Sequence, residues 1–146
     1  MKSFAHIAIF VSDLERAEKF YSELFSMKTV WKKAGDKAYL TTGNYDALAL
    51  LQKVGFIQKK WDIAEIARDP SVTPNFPHFG VVVDSEQEFQ GLLNKVKEKN
   101  LEIVGPKVSR DITKSFYFLD PDNYPVQVVY PPREYFENRA LWSSMN

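Results

Sequence analysis

The feature that most constrains this chain is an order of elements that occurs twice, strand, helix and three strands, each copy headed by one of its only two histidines. Residues 4–11 are almost all apolar and β-compatible, interrupted by His6, and read as a buried strand. Ser12-Asp13-Leu14-Glu15 has the form of a capping box with Ser12 as N-cap, and Leu14, Ala17, Phe20, Tyr21 and Leu24 lie on one helical stripe. Three short strands follow at 28–33, 37–42 and 47–52, divided by Ala34-Gly35-Asp36 and by Gly43-Asn44-Tyr45-Asp46. The order then returns. A strand at 78–83 begins with His78, Ser85 and Glu88 form a second capping box, and Phe89, Leu92, Leu93 and Val96 give a helical stripe ending near Asn100. Strands near 102–104 and at 114–119 and 125–130 complete the second copy. His6 stands six residues before Ser12 and His78 six before Asp84, so the histidines occupy equivalent points of a duplicated unit.

Laid over one another, the copies match Tyr39 with Tyr117 and Leu48-Ala49-Leu50 with Val126-Gln127-Val128. Residues 115–130 read as a hairpin whose turn is Asp120-Pro121-Asp122-Asn123. Gln127 lies between two valines, so the two-residue period of a strand turns its amide to the opposite face, where a hydrogen-bond partner or a ligand must meet it. A satisfied core amide and a ligand-binding amide both meet that demand. Likewise, two strand histidines can be buried and hydrogen-bonded, but their equivalent positions favour a shared site.

At 146 residues and 45% hydrophobic content the chain can bury one core shared by two small modules. The boundaries read as a first module at 3–52, a linker at 53–76, a second module at 77–130 and a tail at 131–146, together one domain. The linker has a helical pattern around Trp61 to Ile66, which suits a lid or a surface brace. The tail carries Tyr135, Phe136, Leu141 and Trp142, more aromatic surface than an exposed segment holds, and suits an interface. With no cysteine there is no disulfide, thiolate zinc site or thiol nucleophile, which fits a cytoplasmic location. Nineteen basic and nineteen acidic side chains cancel, and no apolar run is long enough for a signal core or a span, so neither nucleic acid nor membrane is an expected partner. Trp31-Lys32-Lys33 and Lys59-Lys60-Trp61 read as solvated surface beside acidic residues. Phosphate loops and hydrolase elbows are missing.

The paired β-α-β-β-β units, the histidine heading each, and Phe118-Leu119-Asp120-Pro121-Asp122-Asn123 before an apolar-polar-apolar strand resemble the vicinal oxygen chelate superfamily. That group includes glyoxalase I, extradiol dioxygenases, methylmalonyl-CoA epimerase, fosfomycin-resistance enzymes and bleomycin-binding proteins. The resemblance implies an α+β fold in which two β-α-β-β-β modules form paired open half-barrels, within one chain or exchanged across a homodimer. It implies metal ligands projecting inward at His6, Ala49, His78 and Gln127, of which Ala49 is no ligand and Gln127 brings no charge. His6, His78 and Gln127 are thus the expected donors to a divalent ion (Fe, Mn, Zn or Ni), held weakly because oxygen sites gain affinity from ligand charge.

Missing carboxylates also bear on reaction class. Abstracting a proton beside a carbonyl needs a base of matched pKa, which neither Ala49 nor Gln127 supplies, so glyoxalase I chemistry is disfavoured unless Glu65, Tyr39 or Tyr117 takes that role. Extradiol cleavage uses two histidines and a carboxylate on ferrous iron, and the carboxylate is absent. Two functions stand: a divergent metal-dependent enzyme, lyase- or dioxygenase-like, acting on a small oxygen-rich substrate, or a metal-free binder of a drug or antibiotic.

Overall fold

The computed structural model describes residues 5–44, 46–72, 76–109 and 112–132. The aromatic tail at 133–146 lies outside the described residues. Two compact units emerge, one of residues 1–60 with 121–123, the other of 61–120 with 124–146. Each holds one four-stranded sheet.

In the first unit β1 (Ile7–Val11) runs parallel to β4 (Leu48–Gln52), and β3 (Lys37–Thr41) and β2 (Lys28–Lys33) follow antiparallel, giving the order β1-β4-β3-β2. Helix α1 (Leu14–Phe25) packs on β3 and β4 and buries Leu14, Ala17, Phe20, Tyr21 and Leu24, the stripe read from the sequence. Its cap differs from the expected one. Asp13, not Ser12, is the N-cap, and its carboxylate accepts from the Arg16 N–H at 3.0 Å. Ser12 is drawn elsewhere: its N–H and hydroxyl both donate to Asp122 Oδ1, at 3.0 and 2.6 Å. A neighbouring aspartate serves a helix start as well as serine does, so the long-range partner decides.

The second unit repeats the topology as β5-β8-β7-β6, with β5 (Phe79–Val82), β6 (Ile103–Val108), β7 (Lys114–Leu119) and β8 (Pro125–Tyr130). Helix α3 (Glu86–Glu98) begins at the predicted box: Ser85 Oγ accepts from the Glu88 N–H at 3.2 Å, and Glu88 accepts from the Asp84 N–H at 3.3 Å. Phe89, Leu92, Leu93 and Val96 are buried, Phe89 meeting Phe116 edge-on at 5.2 Å. Strand β6 continues past its expected end at Val104. A register shift between Val104 and Lys107 takes up Gly105-Pro106, and the strand runs on to Val108. Gly105 has φ +101, and a Cβ there would stand 2.9 Å from the Ser115 carbonyl oxygen, so the bulge requires glycine.

The linker pattern becomes helix α2 (Ile63–Arg68), capped by Asp62 through the Ala64 and Glu65 N–H groups and followed by a 3-10 turn at Pro70–Val72. It packs against β6 and β7 with Ile63, Ile66 and Ala67 buried. Because α3 covers the Phe116 face, and the Lys107 ammonium on the other face donates to the Ala67 carbonyl, α2 lies on the Tyr117 face.

Candidate functional site

Strand register carries the duplication down to single residues. In the first sheet Ala49 pairs with Ala8 on β1 and with Tyr39 on β3; in the second Gln127 pairs with Gly80 on β5 and with Tyr117 on β7. Cross-strand partners share a face, and His6 and His78 each lie two residues before the first member of their row, on the same side. Each imidazole meets its tyrosine in the same way, His6 to Tyr39 at 6.1 Å and His78 to Tyr117 at 5.4 Å, both with planes at 83°.

The two rows differ in what surrounds them. In the first unit His6 is exposed and Ala49 offers no donor, with Trp31 edge-on to Tyr39 at 5.8 Å. In the second, His78 is half-buried and its imidazole is hydrogen-bonded to the Gln127 amide. Burial holds the His78 pKa below the ordinary value for histidine, and the bond to Gln127 opposes this only in part. At neutral pH the ring is therefore neutral, the form that donates a lone pair. Its Nδ1 is buried with no hydrogen-bond partner. Gln127 is thus where its strand period put it, with Val126 and Val128 fully buried on the other face.

Lys107 and Ser115 complete this surface, and neither was singled out from the sequence. Lys107 Nζ stands 5.4 Å from the Tyr117 ring centroid while donating to the Ala67 carbonyl of α2. Ser115 is the register partner of Lys107, is fully buried, and its Oγ has no partner. Counting by two from Tyr117 finds Ser115, but Lys107 required the bulge that prolongs β6.

Glu65 does not join them. It is exposed on α2, whose buried residues are Ile63, Ile66 and Ala67. Among the described residues no three His, Cys, Asp or Glu side chains gather as metal ligands would. The donors that do meet, His78 and Gln127, are both neutral: an imidazole and an amide suit a divalent cation in type and supply none of the charge that would hold it tightly. His6, the third expected donor, belongs to the first unit.

Comparison with known proteins agrees with this fold. The model of the Glyoxalase/Bleomycin resistance protein/Dioxygenase superfamily matches residues 3–128. A curated relative, glutathione transferase FosA of Serratia marcescens, is 26% identical over 128 residues, 88% of this chain and 80% of that protein. Among solved structures, a glyoxylase/bleomycin resistance protein/dioxygenase domain from Frankia sp. EAN1pec superposes with a TM-score of 0.72 at 16% identity, covering 90% of this chain and 98% of the other. The fosfomycin resistance protein FosX from Listeria monocytogenes gives 0.68 at 16% identity, covering 92% and 97%.

Proposed function

The chain belongs to the Glyoxalase/Bleomycin resistance protein/Dioxygenase superfamily, and from that premise we propose that it acts on a small oxygen-rich molecule bound on the Tyr117 face of its second sheet, with His78 and Gln127 as donors to a weakly held divalent ion. The observation that carries this reading is the pairing of a neutral imidazole with an amide beside Tyr117 on one face of one sheet. Members of the superfamily commonly use divalent metals on small substrates, and structural neighbours named as fosfomycin resistance proteins supply a compound to try.

A divalent ion bound there would supply Lewis-acid polarisation of a substrate oxygen. The chain's own residues do the rest. Burial keeps the His78 ring unprotonated, so no proton has to leave before it donates. Tyr117 presents its ring edge-on to His78 and carries the Lys107 ammonium over its face, which gives the surface an apolar floor and a positive charge for an anionic substrate. Helix α2 packs against β6 and β7 beside that floor. A homodimer accords with the exposed apolar residues of the first unit, Phe10 at 45% and Trp31 at 49%; sedimentation measures it.

A second reading, a metal-free binder, is favoured by one feature: the Gln127 amide is already engaged by the His78 imidazole. Manganese titration calorimetry separates the two. Gln127→Glu keeps the side-chain length and adds a charge, so it is expected to tighten binding at least about tenfold, while His78→Ala abolishes it. If Gln127→Glu binds no better than the parent and His78→Ala loses nothing, the pair is a satisfied polar core and the binder reading stands.

A further inference from the structure

Among the described residues, the two most exposed large apolar side chains, Val54 at 86% and Ile57 at 87%, stand on one short loop. After β4 the chain turns at Lys53-Val54-Gly55-Phe56, closed by the Phe56 N–H donating to the Lys53 carbonyl at 2.9 Å. Gly55 has φ +76 at the third position of that turn, a conformation that suits glycine and sets Val54 at the corner. Both ends of the loop are held. The Lys53 N–H donates to the Val11 carbonyl at 2.9 Å, and the Asn123 amide donates to the Gln58 carbonyl at 3.1 Å. Phe56 folds back with its ring 6.0 Å from that of Phe10, and the Lys53 ammonium stands 5.1 Å from the Phe10 centroid. The aromatic side chain thus braces the loop while the two aliphatic ones stay in water. One exposed aliphatic residue means little, but two presented on an anchored turn, where serine or aspartate would serve the backbone as well, call for a partner.

The surroundings of the loop give that partner its charge. Cross-strand pairing sets Phe10, Leu51, Lys37 and Lys33 in one row across the first sheet, and members of a row share a face. Lys53 lies over the Phe10 end of that row, and the exposed Lys59 and Lys60 continue the loop. Asp36 pairs with Lys33 at 3.0 Å. The neutral sum for the whole chain conceals an imbalance: the first unit carries ten basic and seven acidic side chains, the second nine and twelve. An anionic partner is therefore drawn to the first unit. Between an acidic protein and an anionic bilayer, Val54 and Ile57 decide. They carry no hydrogen-bonding group and stand clear of the surface, so a medium that closes around them takes them out of water, while long lysine stems keep their charges at headgroup level beside them.

We infer that the 53–60 loop is a peripheral membrane contact, setting Val54 and Ile57 into the headgroup–acyl boundary of an anionic bilayer with Lys53, Lys59 and Lys60 among the headgroup phosphates. The contact lies on the membrane and does not cross it; among the described residues no helix is long and apolar enough to span one. The expectation of no membrane partner rested on the charge of the whole chain, which this local surface does not follow. Neither His78 nor Gln127 belongs to the loop, so the inference is independent of the proposed metal site.

The absence of cysteine makes the test clean, because Ile57→Cys gives a single place for an environment-sensitive dye. The labelled protein is mixed with vesicles of phosphatidylcholine alone and of phosphatidylcholine with phosphatidylglycerol. A blue shift is expected on the anionic vesicles and none on the neutral ones, fading as salt is raised. In co-sedimentation the unlabelled parent is expected to partition at least about tenfold better onto the anionic vesicles. The Val54→Asp and Ile57→Asp double variant, and separately Lys59→Gln with Lys60→Gln, are each expected to lose most of that preference. A parent that ignores anionic vesicles, binding that is blind to lipid charge, or a Val54→Asp and Ile57→Asp variant that binds as the parent does overturns the inference. So does that variant sedimenting without lipid as a smaller species than the parent, which makes the loop a contact between copies of the chain. Manganese titration of the same variant reads the proposed site separately, so failure of either reading leaves the other standing.

Discussion

Asp122 shows how much one buried carboxylate can organise. Its Oδ1 accepts from the Ser12 N–H at 3.0 Å, the Ser12 hydroxyl at 2.6 Å and the Arg16 guanidinium at 2.8 Å, with its side chain only 3% exposed. Three donors on one oxygen hold the entry to α1, and Arg16 is half-exposed, so the net worth lies in the hydrogen bonds more than in the ion pair. Asp122→Ala is expected to destabilise by about 2–3 kcal/mol, seen as a lower urea midpoint, and Asp122→Asn by less because an amide oxygen still accepts. The sequence gives Asp122 only as turn chemistry. Its partner Ser12 is 110 positions away, and no local signal announces a bond of that range. Gln127 is the opposite case, since its orientation follows from the strand period alone, and the ladder reproduces it. Ser115 lay within reach of the same count but carries no charge to draw notice.

Among elements, α2 is the one whose existence was legible and whose place was not. Six residues are too few to hold a helix unaided, so its order comes from Ile63 and Ile66, both fully buried, and from the Asp62 cap. Ile66→Ala is expected to cost about 2–4 kcal/mol locally, speeding amide exchange over 63–68 well before β7 and β8 lose protection. Uniform acceleration across the unit would show that α2 is integral to the core and no separate cover. The β3–β4 loop offers a second test at this scale. Burial alone would raise the Asp46 pKa, but the Thr42 and Thr41 hydroxyls and the Thr42 and Asn44 N–H groups donate to its carboxylate, and the pKa lies below its ordinary value. A depressed carboxylate stabilises above the unfolded-state pKa, and the benefit is lost as pH falls through the folded-state value. Asp46→Asn is therefore expected to be less stable than the parent at neutral pH by about 1 kcal/mol, the two curves converging below about pH 3. Curves that stay parallel down to that pH would show the loop indifferent to the charge. The sequence marks β6 only near 102–104, and a bulge at Gly105-Pro106, which keeps no simple two-residue period, passes the strand on to Lys107.

For the whole chain, the duplication that is plain in the sequence coexists with an asymmetry that is not. The two sheets repeat in strand order and in register, yet the tip of the second hairpin, residues 121–123, belongs by its contacts to the first unit. Besides the three bonds at Asp122, the Asn123 amide donates to the Gln58 carbonyl at 3.1 Å. A fragment of residues 1–60 keeps all four strands of its sheet and α1 but loses these acceptors and donors. It is expected to fold with a stability about 2 kcal/mol or more below that of the unit in the intact chain, followed by far-ultraviolet circular dichroism in urea. Adding a separately made 61–146 fragment should raise its midpoint, because that fragment carries the missing turn. Adding 61–146 with Asp122→Ala should recover much less. Equal rescue by both would mean that the turn is incidental and that the first unit draws its stability from its own sheet and helix; no rescue by either would mean that the turn acts only when the chain tethers it.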